Sequence, residues 1–295
     1  VLPADAWRSL QTARDDARGY AVDEQLERTV RAVGHGRLSH ACRALTSNGV
    51  ARDEEQAWHF LLDHHFAAPA DDPAALTPAE EARYAALLAR PLDEEFSAAV
   101  QDKLRRLLPT LPSGVGAGPS GWRYEHLRVV AQAAGGMEPL LELGMHVAAG
   151  RWSPGMADAR LTALMKGAVE ADGYRPVASG EVLRRVVGRA MIQVAEELIE
   201  ATMLAANNLA FSKDGCLTAY SLVRHQLAAH PEWICAASDK RSAFQLKSRH
   251  EMRRQLMARL PSFVRYFDAA YGQPAGLHFQ GRTIPADQAE HGCQQ

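Results

Sequence analysis

In the first 110 positions the apolar residues recur every three or four places, and that interval restricts this part of the chain to amphipathic helices. Trp7, Leu10, Ala13 and Ala17 keep the interval, and Leu26, Val30 and Val33 repeat it, so residues 5–34 are predicted helical until Gly34-His35-Gly36 breaks the run. A short helix is expected over 39–45, stopped by Ser47-Asn48-Gly49. Asp53 and Glu54 open another, carrying Ala57, Trp58, Phe60 and Leu61. Residues 67–78 are rich in Ala, Pro and Asp and read as an exposed linker. Thr77-Pro78-Ala79-Glu80 then has the form of a capping box, with proline in the first turn. A helix over 93–108 puts Phe96, Val100, Leu104 and Leu107 on one face.

The texture changes at Pro109. Residues 112–121 are dense in glycine and read as a loop. Helices resume over 125–134 and 139–149. A short apolar run, Leu161 to Met165, leads through a polar turn to Tyr174-Arg175-Pro176-Val177. One long amphipathic helix is expected over 181–204 and another over 217–229. Trp233 to Ala237 is short and apolar and reads as a buried strand that ends in Ser238-Asp239. Ser248 and Glu251 have capping-box spacing for a helix to about Leu260, with Met252, Leu256 and Leu260 as its buried stripe and Arg249, Arg253 and Arg254 opposite. A further helix covers 262–271. Leu277-His278-Phe279 and Thr283-Ile284, flanking Gln280-Gly281, suggest a β-hairpin. The fold class is α+β, predominantly helical, and no internal repeat is present.

Composition narrows the function classes. The 295 residues are 47% hydrophobic, which supplies a core and excludes a disordered tail, a collagen-like fibre or a disulfide scaffold. The net charge of -2 argues against a domain that is basic throughout. Cys42, Cys216, Cys235 and Cys293 show no C-x-x-C spacing and read as reduced thiols. The start of the chain lacks the basic and apolar regions of a signal peptide, no stretch is long and apolar enough for a membrane span, and an intracellular protein, cytoplasmic or nuclear and not secreted, is expected. The charge is uneven, however. Acids dominate between Arg52 and Lys103. From Asp239 to Arg265, Lys240, Arg241, Lys247, Arg249, Arg253, Arg254, Arg259 and Arg265 face only Asp239 and Glu251. A local basic face attracts a polyanion even when the total is near neutral.

Three constellations bear on chemistry. The glycines of 114–121 superficially resemble a phosphate loop, but a helix precedes them, Pro119 lies among them and no Gly-Lys-Ser/Thr follows. His59, Asp63, His64 and His65 are close, yet a third metal ligand on their face is not evident. Asp239 is the strongest candidate: a carboxylate at the carboxyl end of a buried strand can be held rigidly toward solvent, where a divalent cation can be bound beside a phosphate, and the alternative is a turn-forming or capping Asp.

In order along the chain, several segments resemble the reverse transcriptases of non-LTR retrotransposons and their cellular relatives. Residues 36–47 resemble the helical segment upstream of such domains, and Gly116-Ala-Gly-Pro-Ser-Gly-Trp-Arg-Tyr-Glu-His-Leu127 resembles the "GPDG" segment that opens the fingers. Arg160 through Lys166 and then Arg175-Pro-Val resemble the fingers motif with its Lys and "RPI", and residues 180–190 resemble the helix after it. Asp239-Lys-Arg-Ser-Ala-Phe244 resembles motif A of the palm, and residues 289–295 resemble the run-in to motif B.

The resemblance implies an incomplete right-hand polymerase. Its parts would be a helical extension (1–110), a fingers-like region (111–230) and a partial palm (231–295). It implies RNA-directed DNA synthesis by two metal ions, with Asp239 as catalytic residue and Mg2+ ligand. Lys166, Arg175 and Phe244 would contact the incoming deoxynucleotide triphosphate. Lys240, Arg241, Arg249 and Arg253 would contact the RNA template and DNA primer.

The sequence departs from the family at Gln245, where many relatives have Asp, in the turn between Lys166 and Arg175, and at Asn208. The paired aspartates of motif C follow motif B in the family, and the chain carries one metal carboxylate. The expectation is therefore a truncated product or fragment, inactive alone. The alternative is a polymerase relic that binds nucleic acid without chemistry, and a weaker third reading is a helical interaction protein.

Overall fold

The structure, a computed structural model, describes residues 20–34, 41–42, 44–45, 47–66, 75–153, 155–167, 170–210, 212–238, 247–272 and 275–284. The chain forms two compact units, Val1–Ala57 with Ala163–Arg175, and Trp58–Thr162 with Pro176–Gln295. Helices predominate, and a small mixed sheet makes the fold α+β. Among the described residues no helix is long and apolar enough to cross a membrane.

The first unit holds helix α1 (Tyr20–Gly34) and the start of α2 (Glu54–His65). It also holds the far end of β1 (Ala159–Met165) and the beginning of β2 (Tyr174–Gly180). Residues 49–51 lie antiparallel to the end of β1: Val50 opposes Leu164, the Ala51 N–H donates to the Ala163 carbonyl at 2.9 Å, and the Met165 N–H donates to the Gly49 carbonyl at 3.0 Å.

The second unit is built on four helices: α4 (Glu94–Leu107), α5 (Tyr124–Gln132), α6 (Met137–Ala148) and α7 (Val182–Val194). Asp93 caps α4 by accepting from the Phe96 N–H. One turn apart, Val100 and Leu104 are fully buried, with Phe96 and Leu107 packed beside them, as the spacing predicts. They meet Leu127 of α5, Leu141 and Val147 of α6, and Val186, Val187 and Met191 of α7. Gly144 lets the helices close: a β-carbon there would lie 2.9 Å from Leu104 Cδ1 and 3.7 Å from Val187 Cγ2. Arg184 is buried on α7, where it donates to the Ala157 carbonyl at 2.8 Å and lies over the Trp152 ring.

A smaller cluster joins α3 (Pro78–Ala89) to α10 (Arg249–Arg259) and α11 (Val264–Tyr271) through Tyr84, Met257 and Val264. The capping box predicted at Thr77 forms in full: Thr77 Oγ1 accepts from the Glu80 N–H, and Glu80 accepts from the Thr77 N–H.

The sheet order is β2-β1-β3-β4, with β3 (Leu277–Phe279) parallel to β1 in the register Ala159↔Leu277 and β4 (Arg282–Thr283) antiparallel to β3. The predicted β3–β4 hairpin is present. Its two turn residues, Gln280 and Gly281, have φ of 47° and 79°, the pair of positive values that a type I′ turn requires.

Three expectations are corrected. The helix expected over 181–204 breaks at Ala195 into α7 and α8 (Glu196–Ala205). Glu196 and Glu197 favour a new amino terminus there, because acids complement the positive end of a helix. The buried face of α10 centres on Met257, while Met252, Leu256 and Leu260 are only half-buried. The helix meets a neighbour, α3, that its own periodicity does not reveal. Residues 233–238 form no strand and are exposed throughout. A strand needs a partner ladder, and among the described residues every named strand comes from 159–180 or 277–283. They follow α9 (Gly215–Ala229), which is also exposed along almost all its length.

Candidate functional site

Two of the residues expected to face a nucleotide, Lys166 and Arg175, lie at the β1–β2 connection in the first unit. Along β1, buried Ala163 and Met165 alternate with half-exposed Leu164, and Lys166 follows on the open side. The Lys166 N–H donates to the Gly173 carbonyl at 2.9 Å, and its own carbonyl accepts from Asn48 Nδ2 at 3.0 Å. The backbone at Lys166 is therefore fixed on both sides. Arg175 is exposed on β2 between buried Tyr174 and Pro176, so its outward direction is set by the pleat. Gly167, which follows Lys166 in the chain, packs against Asp172, and a β-carbon there would collide with the Asp172 side chain. Two exposed cations thus stand at the base of one short connection, a charge arrangement suited to phosphate oxygens.

The glycine-rich segment is docked against helices α5 and α7. Arg128 of α5 donates to the Leu111 carbonyl at 2.8 Å and to Ser113 Oγ at 3.0 Å. Glu125 accepts from the Gly114 N–H, and Arg185 of α7 donates to the Gly116 carbonyl. Burial opposes ionisation of Glu125, but the Gly114 N–H bond and the charges of Arg123 and Arg128 outweigh it and hold the carboxyl below its ordinary value. At the far end, Glu181 accepts from the Ser120 N–H at 2.7 Å and from Ser120 Oγ at 2.6 Å. A β-carbon on Gly118 would lie 2.8 Å from Glu181 Cα and from the Gly180 carbonyl oxygen, so only glycine allows this approach.

The basic helix α10 spends much of its charge on its own unit. The Arg249 guanidinium lies 5.2 Å from the centre of the Tyr271 ring. Arg253 is at the same distance over Tyr84 and 3.9 Å from Asp268, with its side chain 18% exposed. Arg254 bonds Glu80 at 2.7 Å and Glu251 at 2.9 Å. The Arg254 guanidinium, followed by the Thr77 N–H and hydroxyl, holds the Glu80 carboxyl down at about 2. The acidic segment seen in the sequence therefore places at least one carboxylate on the basic run. Asp239, Lys240, Arg241 and Phe244 lie outside the described residues.

Sequence reasoning missed two carboxylates. Glu181 was assigned only to a helix, although the structure makes it the anchor of Ser120. Asp158 bonds the Gly276 N–H at 2.8 Å through Oδ1 and His278 Nε2 at 3.0 Å through Oδ2, and His278 Nδ1 pairs with Thr283 Oγ1 at 3.1 Å. Asp158 and His278 are 120 positions apart, and no local pattern signals their meeting. Among the described residues no three His, Cys, Asp or Glu side chains gather as a metal site. No protein-family model matches the chain, and no curated protein matches it.

Proposed function

We propose that the chain is the fingers and the first part of the palm of a reverse transcriptase of the non-LTR type, an RNA-directed DNA polymerase. In this reading Lys166 and Arg175 bind the triphosphate of an incoming deoxynucleotide. The observation that supports it is the pair of exposed cations at the β1–β2 connection, each with its backbone direction fixed. Guanidinium and ammonium groups so placed neutralise phosphate oxygens and orient them for in-line displacement. Phe244 would lie near the sugar, and Lys240, Arg241, Arg249 and Arg253 would follow the template and primer. Mg2+ enters only through the resemblance, with Asp239 as its ligand, and that residue lies outside the described ones.

The test is fluorescence anisotropy with a labelled deoxynucleotide triphosphate and the full chain. Lys166→Ala and Arg175→Ala should each weaken binding about tenfold, the scale of one charge-assisted contact. Thermal melting of each variant should match that of the parent. Absence of binding by the parent, or binding by both variants as tight as the parent's, overturns the proposal.

A further inference from the structure

A second feature is independent of the polymerase reading and lies wholly in the second unit. A cleft of about 450 Å³ opens between the 119–122 segment, α6 and the start of α7. Its walls are apolar: Leu127, Leu140 and Met156 line it, and Trp122 and Leu143 stand at 47% exposure each. Asp158 and Glu181 also line it, and among the described lining residues there is no Lys, Arg or His. This volume is in the range of small-molecule sites, which pair apolar walls with a few polar groups.

The two carboxylates are oriented before any ligand arrives. Glu181 is fixed by the Ser120 N–H and hydroxyl, and Asp158 by the Gly276 N–H and His278. Each oxygen accepts one bond from these partners, and an ionised carboxylate has about four acceptor sites, so capacity remains on both. The indole of Trp122 adds a face that attracts cations. His278 shares Asp158 and competes for it, whereas Glu181 has no cationic hydrogen-bond partner among its described bonds.

We infer that this cleft binds a small organic cation, an ammonium or guanidinium carried on an apolar body. The cation would sit against Glu181 and Asp158, and the body would fill the space between Trp122, Leu143 and Met156. An anion would meet two like charges, and a neutral molecule would forgo the charge-assisted bonds.

The test is isothermal titration of the full chain with 4-phenylbutylammonium, 4-phenylbutanol and 4-phenylbutyrate. The ammonium should bind at least tenfold more tightly than the alcohol, and the butyrate should not bind. Glu181→Gln should weaken the ammonium about tenfold. Because Glu181 also anchors Ser120, Leu143→Arg serves as the variant that spares the fold: Leu143 is an exposed wall residue, and a guanidinium there should repel the probe and cut affinity at least tenfold with an unchanged melting temperature. Equal binding of ammonium and alcohol, no binding of the ammonium, or ammonium binding that survives Leu143→Arg overturns the inference.

Discussion

The α4–α7 core and the stretch from residue 216 to 238 are both rich in apolar side chains, yet they differ completely in what those side chains touch. In the core, Val100, Leu104, Leu141, Val186 and Met191 are all fully buried. In the other stretch no residue is buried, and Leu217 and Ile234 stand at 65% and 93% exposure. The difference lies in pattern. Helix α4 gathers its apolar residues into one stripe facing three neighbours, whereas α9 spreads Leu217, Tyr220, Leu222 and Val223 around its circumference. A helix with one apolar stripe is satisfied by one packed face. A helix apolar all round needs to be enclosed. Apolar content alone therefore does not make a core; a shared direction does.

Truncating a core residue should give the largest effect. Leu104→Ala removes a fully buried side chain that packs against Gly144 of α6, where there is no β-carbon, and should cost about 3 kcal/mol. Urea unfolding monitored by circular dichroism measures it as a lower midpoint at unchanged slope. A loss below about 1 kcal/mol would mean that the core relaxes around the gap and that the contrast with α9 is shallower than the burial suggests.

A smaller effect should come from the polar contact between α3 and α10. The folded carboxyl of Glu80 sits at about 2 against an ordinary 4.5, chiefly through its bond to Arg254. A depressed carboxyl stabilises the fold above the ordinary value, and the contribution is lost as pH falls from about 4.5 towards 2. Glu80→Gln keeps a capping-box side chain but removes the charge. Its melting temperature should therefore fall less steeply than the parent's over that window. Glu251, held down first by Gln255 and then by Arg254, titrates in the same direction, so the slope should shrink without vanishing. Identical pH profiles for parent and variant would show that the pair contributes nothing measurable.

What the sequence discloses follows the range of the interaction. Thr77 with Glu80, Ser248 with Glu251, and the Gln280-Gly281 turn are short-range devices, and each is legible because its partners are within a few residues. The stripe of α4 is legible because helical periodicity repeats within the segment. The buried face of α10 is not legible in its own sequence because α3, 174 positions away at the Glu80–Arg254 contact, decides which side faces inward. The segment at 233–238 has strand composition but no ladder among the described residues, and composition cannot supply one. At the candidate site, Lys166 and Arg175 stand out only because their segments resemble a fingers motif, not through any local physical signal. Glu181 and Asp158 did not, because their partners are 61 and 118–120 positions away.

The smallest change in stability should come from the exposed stretch itself. Leu217 and Ile234 lose little contact when replaced, so Leu217→Ser and Ile234→Ser should each alter unfolding free energy by no more than about 0.5 kcal/mol. Ser has a somewhat lower helix propensity than Leu, which sets the sign at position 217 as slightly destabilising. The same substitutions should have a clear effect on apolar dye binding. Exposed Leu, Ile, Trp and Tyr side chains present the surface that anilinonaphthalene sulfonate recognises, and removing two of them should lower its fluorescence with the folded protein. Double replacement at 217 and 234 measures both quantities in one sample. A loss of stability comparable to that of Leu104→Ala would show that α9 and its exposed continuation are packed in solution, and the distinction between the two regions would then fail.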